Sequence, residues 1–171
     1  VELAERAKLI VQDCVIETDL EILIPDRYVS NISERLQLYS RLDSIRDEAE
    51  LKSFSDEVKD RFGPLPPATE ELVNTVRLRW LGEKLGFEKL SLKNDKLRAF
   101  FVSNNDNYFK SDVFGKILGF VQKHPRQCKM RDSAGKAMLL IEGIKTVDGA
   151  IDWLLRMSGQ EIPKSPSEIL S

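Results

Sequence analysis

One glycine and three prolines within five residues, Gly63-Pro64-Leu65-Pro66-Pro67, divide this chain of 171 residues. Proline has no backbone N–H and cannot continue a helix, while glycine readily adopts the left-handed conformation that ends one. A helix therefore has to stop at Gly63. A new helix can begin at Pro67, because proline is favoured at the first helical position.

The segment before this break predicts a strand followed by two helices. Loosely alternating apolar residues over 14–24 predict the strand. Asn31 or Ser30 can cap the first helix and Asp47 the second, because such side chains accept hydrogen bonds from the N–H groups of a first turn. Apolar residues recur at helical spacing in both. They are Ile32, Leu36, Tyr39 and Leu42 in the first helix, and Leu51, Phe54, Val58 and Phe62 in the second.

The segment after the break predicts a buried helix and then one unit used twice. The third helix runs from Pro67 to Leu85, and apolar side chains cover most of its circumference. Residues 87–93 and 96–102 alternate like strands around a hairpin turn and precede a helix over 112–123. Residues 127–131 and 136–142, with a helix capped by Thr146, repeat this order.

The order of elements sets the fold class. Adjacent hairpins pair antiparallel, and helices have to cover at least one sheet face, so we predict an α+β fold with a small, mostly antiparallel sheet. We assign the domain to residues 14–158, a linker from an upstream module to residues 1–13 and a flexible tail to residues 159–171. Because the chain opens at Val1 rather than Met, we interpret it as a piece of a longer protein.

Charge and composition narrow the classes of partner. The formal net charge is -2, which gives no overall attraction to nucleic acid. The charge is uneven, since residues 1–62 carry -6 and the remainder +4, and an acidic half favours a protein partner. No apolar run approaches the roughly 18 residues that span a membrane. Two cysteines without Cys-x-x-Cys spacing fit a reduced cytoplasm, so we expect a cytoplasmic protein without membrane contact.

The sequence contains no recognisable catalytic or metal site. The single histidine, His124, ends a predicted helix, where a cap or surface role is expected. One histidine and two distant cysteines cannot build a zinc site of ordinary composition. Gly135-Lys136 is not a phosphate-binding loop, because Ala137 stands where such a loop needs Ser or Thr. We therefore expect no enzymatic activity and no cofactor.

The second helix carries an acidic face. Its apolar stripe leaves Asp56, Glu57 and Asp60 pointing elsewhere, and Glu57 and Asp60 lie about 60° apart on the solvent side at 100° per residue. Carboxylates three residues apart can engage one arginine cluster of a partner. The alternative is a solvated surface on which Lys59 and Arg61 offset the charge.

Four sequence motifs resemble the C-terminal domain of bacterial transcription-repair coupling factors. The family has Ile-Pro-Asp-x-Tyr at the end of a strand, followed by a helix of the form Arg-Leu-x-Leu-Tyr-x-Arg-Leu, and these motifs stand here at residues 24–28 and 35–42. The run Asp-Arg-Phe-Gly-Pro-Leu-Pro at residues 60–66 matches as well, as do residues 76–79 with 84–89. The resemblance covers residues 15–157, and its first half is the more specific.

The resemblance implies a role for the domain. The parent is an ATP-driven DNA translocase that displaces stalled RNA polymerase and recruits nucleotide excision repair through UvrA, and other domains of the parent bind polymerase and DNA. The domain itself is implied to be non-catalytic and autoinhibitory. It packs on the N-terminal UvrB-like module of the same parent chain, in competition with UvrA, and no direct contact with nucleic acid is expected.

The same resemblance implies roles for particular residues. Glu57 and Asp60, with Asp56 beside them, match carboxylates that meet basic residues of the UvrB-like module. The next positions are implied to end the helix and fix the turn. These are Arg61, Phe62, Gly63 and Pro64.

Two alternatives stay open. A small nucleic-acid-binding module could use the basic second half, where cations lie around the last hairpin. Those cations are Lys123, Arg126, Lys129, Arg131 and Lys136. The other alternative is a structural domain that only terminates the parent.

Overall fold

The computed structural model describes residues 11, 13–103, 105–133 and 135–159. Within these residues the elements are, in chain order, β1 (Val15–Thr18), α1 (Ile32–Ser44), α2 (Glu48–Phe62), α3 (Pro67–Leu85), β2 (Phe87–Lys93), β3 (Lys96–Phe101), a 3-10 turn (Tyr108–Lys110), α4 (Asp112–Lys123), β4 (Cys128–Ser133), β5 (Lys136–Glu142) and α5 (Val147–Met157). The predicted class and order of elements are confirmed. Most of the predicted linker and tail lies outside the described residues.

The strands form one sheet in the order β1-β2-β3-β5-β4. Only β1 and β2 pair in parallel, and the other neighbours are antiparallel, as predicted. Asn94 and Asp95 form the predicted hairpin turn with φ angles of 55° and 59°, a left-handed conformation that matches the twist of the two strands. The bounds of β3 and β4 differ from the prediction by one or two residues.

The predicted strand over residues 14–24 is too long, since β1 ends at Thr18. The Thr18 hydroxyl accepts a hydrogen bond from the N–H of Leu20 and bends the chain there. Further along, the N–H of Leu23 donates to the carbonyl of Ala68 at the start of α3. The chain thus leaves the sheet after Thr18 and runs along α3. Its loosely alternating apolar residues have no neighbouring strand there with which to form a β-ladder.

Helix α3 separates two hydrophobic cores. Val73 and Val76 pack in a cluster with α1 and α2, whereas Leu78 and Leu85 pack against the sheet, α4 and α5. The prediction that this helix is buried is confirmed, and the reason is that it has a core on each side. The acidic helix α2 belongs to the smaller, all-helical core.

The predicted apolar stripe of α1 is wrong at two positions. Ile32 and Leu36 are 65% and 62% exposed, whereas Leu38 and Leu42 are buried against α2 and α3. The predicted positions and the buried positions both fit a helical period, so spacing alone does not show which face of the helix is buried. The neighbouring chain settles the choice, because the N–H of Ile24 donates to the Tyr39 hydroxyl at 2.7 Å and fixes the rotation of the helix.

Candidate docking face on helix α2

The ends of α2 are set by local chemistry. The Asp47 side chain accepts a hydrogen bond of 2.8 Å from the N–H of Glu50 and caps the first turn. At the other end Gly63 has a φ of 94°, and its N–H donates to the carbonyl of Lys59 at 2.8 Å. Acidic residues in the first turn and basic ones in the last complement the helix dipole.

The three predicted acidic positions point in two directions. Asp56 and Asp60 form what we call the outer ridge, and Glu57 lies apart from it. The buried stripe of α2 comprises Leu51, Phe54, Ser55 and Val58. At 100° per residue, Asp56 and Asp60 lie about 40° apart and opposite this stripe, and Glu57 is turned toward α1. All three are exposed.

Glu57 is engaged within the domain. Its carboxylate pairs with Arg41 of α1 at 2.5 Å, and both side chains are 48% exposed. A second pair joins the same helices in the reverse direction, from Arg61 of α2 to Glu34 of α1 at 3.0 Å. Exposed pairs of this kind contribute only about 0.2–1 kcal/mol each. They orient α1 and α2 without locking either carboxylate.

The outer ridge is the more accessible part of the face. Asp60 forms no ion pair within the described residues, while Asp56 pairs with Lys52 one turn earlier at 2.8 Å. The hydrogen bond and charge of Lys52 hold the pKa of the Asp56 carboxyl below its ordinary value. Asp60 is therefore the predicted carboxylate that a partner can reach without displacing a described cation.

The residues after the ridge form the end of the helix. The Arg61 guanidinium lies 4.7 Å from the centre of the Phe62 ring, and Phe62 is half-buried with the Tyr28 ring 5.9 Å away. The Tyr28 hydroxyl donates to the carbonyl of Gly63 at 2.6 Å, and Pro64 is exposed. Tyr28 lies far from these positions in sequence, so reasoning from spacing missed this contact.

A groove of about 590 Å³ between α2 and α3 adjoins the ridge. Asp56 lines it, and Leu65 and Val73 contribute apolar surface. Glu48 and Arg77 line its wall and form an ion pair across the two helices. The groove could not be predicted from the sequence, because its walls come from two helices on opposite sides of the proline-rich break.

The basic residues of the nucleic-acid alternative do not share one surface. Lys129, Arg131 and Lys136 lie on one face of the β4–β5 hairpin, whereas α4, which ends at Lys123, packs against the opposite face of the sheet. Arg126 lies in the turn between α4 and β4. The cluster proposed from the sequence is therefore divided by the sheet.

Other candidate groups serve the fold. His124 caps α4, as predicted, and its ring stacks on Phe120 with centroids 4.1 Å apart. Cys14 and Cys128 are buried free thiols, and burial raises their pKa values to about 12 and about 11. In the described part of the chain, no three His, Cys, Asp or Glu side chains are grouped to hold a metal ion. No described helix is long and apolar enough to cross a membrane.

The family model for the TRCF domain matches residues 18–111, a range that contains the whole of α2. The transcription-repair-coupling factor of Rickettsia typhi is 34% identical over 116 residues, which are 68% of this chain and 10% of that protein. The Escherichia coli factor is 32% identical over 121 residues, 70% of this chain and 10% of that protein. This chain thus spans about a tenth of the length of these relatives.

A solved structure shares the fold. The crystal structure of the C-terminal domain of a transcription-repair coupling factor matches with a TM-score of 0.68 at 15% identity, covering 86% of this chain and 94% of that one. The reported relatives give no support to the nucleic-acid alternative. The family model matches more than half of the chain and the sequence relatives agree with it, and on that evidence the chain belongs to the TRCF domain family of transcription-repair coupling factors.

Proposed function

We propose that this chain is the non-catalytic, autoinhibitory C-terminal domain of a transcription-repair coupling factor. In this proposal α2 docks on basic residues of the N-terminal UvrB-like module of the same parent and covers the surface that UvrA needs. Translocation on DNA, contacts with RNA polymerase and DNA, and a cytoplasmic location belong to the parent and are part of the proposal.

The observation that carries the proposal is the state of Asp60. It is exposed, has no ion pair among the described residues, and shares an outward ridge with Asp56. The pair between Asp56 and Lys52 is exposed and joins residues four apart, a kind of pair worth about 0.3–0.5 kcal/mol. A partner arginine can therefore engage both carboxylates at little cost.

Glu57 takes part by exchanging its partner. In the free domain it pairs with Arg41, so docking replaces one exposed ion pair with another. Because such pairs differ little in free energy, the exchange is close to neutral. Glu57 thus contributes to the choice of partner and adds little to the strength of docking.

Weak contacts are sufficient for such a clamp. Two or three rim pairs give about 0.2–1 kcal/mol each. A domain tethered to its binding surface meets that surface at high effective concentration, so modest pairs keep it closed. The same modest free energy allows a competing ligand to open it.

The test is a charge reversal in the full-length parent. The Glu57→Lys/Asp60→Lys variant should bind UvrA more tightly and hydrolyse ATP faster, because repulsion opens the clamp. Asp106→Lys/Asp132→Lys is the matched control, since these exposed carboxylates lie outside the α1–α3 unit and form no described ion pair. Unchanged UvrA affinity in the first variant would contradict the proposal. The remaining alternative would be a structural domain that only terminates the parent.

A further inference from the structure

One face of the sheet is not covered by any described helix. Leu90, Ala99 and Leu139 pack against α3, α4 and α5, and in each strand the alternate residues point to the opposite side. We call that opposite side the open face. The cross-strand partners Ser91, Arg98, Leu140 and Lys129 form one row across it.

The open face is strongly basic, although the whole chain is acidic. Its strands β2 to β5 place seven cations there, against two carboxylates, Glu17 of β1 and Glu142 of β5. The cations are Lys89, Lys93, Lys96, Arg98, Lys129, Arg131 and Lys136. They come from strands that are far apart in sequence, so only the three of the last hairpin could be grouped from the sequence.

Three of these seven cations have no carboxylate partner in the described residues. Glu17 pairs with Lys89 at 3.2 Å and Lys93 at 3.7 Å, Glu142 lies 3.9 Å from Lys129, and Glu88 of β2 pairs with Lys136 at 3.1 Å. The remaining three cations form no ion pair among the described residues. These are Lys96, Arg98 and Arg131.

The centre of the open face is apolar. Phe100 and Met138 are directly paired on β3 and β5, and Leu140 lies two residues beyond Met138 on the same face. Met138 and Leu140 are only 7% and 8% exposed, so Phe100 and Val15 are the apolar side chains that a partner can reach. Phe100 is half-buried, and the Lys89 ammonium lies 5.3 Å from its ring centre. Val15, at the β1 edge of the same row, is 50% exposed. An apolar centre surrounded by charge is the usual composition of a protein interface.

We propose that the open face binds an acidic polypeptide segment that also carries apolar side chains. The carboxylates of such a segment pair with the three unpartnered cations, and its apolar side chains contact Phe100 and the exposed Val15. This interaction is separate from docking through α2, because it uses the sheet and not the helices of the smaller core.

The observations favour a polypeptide over nucleic acid. A single-stranded nucleic acid needs aromatic rings free for stacking, and the one aromatic side chain among the described positions of this face already lies beneath the Lys89 ammonium.

Fluorescence anisotropy with defined probes tests the proposal on the 171-residue chain. One labelled 20-residue peptide consists of glutamate only. A second peptide of the same length has phenylalanine at every fourth position and glutamate at all others. The second should bind about fivefold more tightly, because apolar contact adds to charge pairing. Both affinities should fall as salt increases, since the charges are exposed.

Matched variants assign the binding to the open face. Arg98→Gln/Arg131→Gln should weaken binding of the phenylalanine peptide about tenfold, while Lys123→Gln/Arg126→Gln removes the same charge elsewhere and should change it less than about twofold. Thermal melting checks that both variants fold. The proposal is overturned if neither peptide binds, if the two variants weaken binding equally, or if a 20-nucleotide oligo(dT) binds more tightly than the phenylalanine peptide.

Discussion

The Tyr28 hydroxyl donates a hydrogen bond of 2.6 Å to the carbonyl oxygen of Gly63 and so joins the chain before α1 to the end of α2. The two residues belong to two separate motifs, at residues 24–28 and 60–66. Gly63 has a φ of 94°, which frees its carbonyl from the helical ladder and turns the chain toward Pro64. The contact therefore fixes where the acidic helix ends relative to α1.

Replacing Tyr28 with phenylalanine tests this contact. The Tyr28→Phe variant keeps the ring beside Phe62 and loses only the hydrogen bond, so the free energy of unfolding should fall by about 1 kcal/mol. Urea denaturation followed by circular dichroism measures the change. A difference below about 0.2 kcal/mol would mean that water replaces the hydroxyl without cost.

Two glycines with nearly the same φ should respond differently to alanine. Gly63 and Gly86 have φ angles of 94° and 91°, but their ψ angles are -173° and 25°. Alanine at Gly86 incurs left-handed strain of about 1–2 kcal/mol. Alanine at Gly63 enters a region that essentially only glycine adopts, at a cost of about 1–3 kcal/mol. A Cβ at Gly63 meets nothing within 4 Å, whereas one at Gly86 lies in the Tyr108 ring. Tyr108 cannot easily move, because it is buried and its hydroxyl donates to the carbonyl of Leu85 at 2.6 Å.

Gly86→Ala should therefore destabilise the domain by about 3 kcal/mol or more, because the clash with Tyr108 adds to the strain, and Gly63→Ala by only the strain. Thermal and urea unfolding of the two variants measure the losses. A loss of only about 1–2 kcal/mol in Gly86→Ala would show that the Tyr108 loop moves aside freely.

Features that depend on local chemistry could be predicted from the sequence. The side chains of Asn31, Asp47 and Thr146 each accept a hydrogen bond from an N–H three residues on, as a cap requires. The break at residues 63–67 and the turn at Asn94 and Asp95 are equally local. In each of these places the residue type alone restricts the backbone.

Features that depend on packing between distant segments could not be predicted. The ion pair between Arg41 and Glu57 joins residues 16 positions apart and exists only because α1 packs beside α2. The exposure of Ile32 and Leu36 has a similar origin, since helical period permits two faces and tertiary contacts select one. The exposure of Asp56, Glu57 and Asp60 could therefore be predicted, but the internal partner of Glu57 could not.

The buried thiols predict how stability changes at alkaline pH. Burial, with the Glu83 carboxylate near Cys14, raises the pKa of Cys14 to about 12, and burial raises that of Cys128 to about 11, from an ordinary value of 9.0. The unfolded chain then releases these protons at lower pH than the folded chain. The contribution of the thiols is complete below pH 9 and is lost as the pH rises toward the folded values.

The free energy of unfolding should accordingly decrease between pH 8 and pH 10, and it should decrease less in a Cys14→Ala/Cys128→Ala variant. Urea titrations at three pH values measure both slopes. Neither thiol of the native protein should react with Ellman's reagent at pH 8, whereas both should react in urea. Parallel slopes for the two proteins would contradict the assignment to the thiols.

Breaking the ion pair between Arg41 and Glu57 should change UvrA affinity in the direction opposite to that of the Glu57→Lys/Asp60→Lys variant. If the domain docks as proposed, Arg41→Gln releases the Glu57 carboxylate for the UvrB-like module. The proposed clamp of the full-length parent should then tighten, and UvrA affinity should fall by about two- to fivefold, which corresponds to one surface ion pair. Arg61→Gln is the matched control, because it removes the other α1–α2 pair and leaves Glu57 with Arg41. Competition binding with purified UvrA measures both variants. If Arg41→Gln instead raised UvrA affinity, Glu57 would act only by holding α1 against α2, and Asp56 and Asp60 alone would form the docking face.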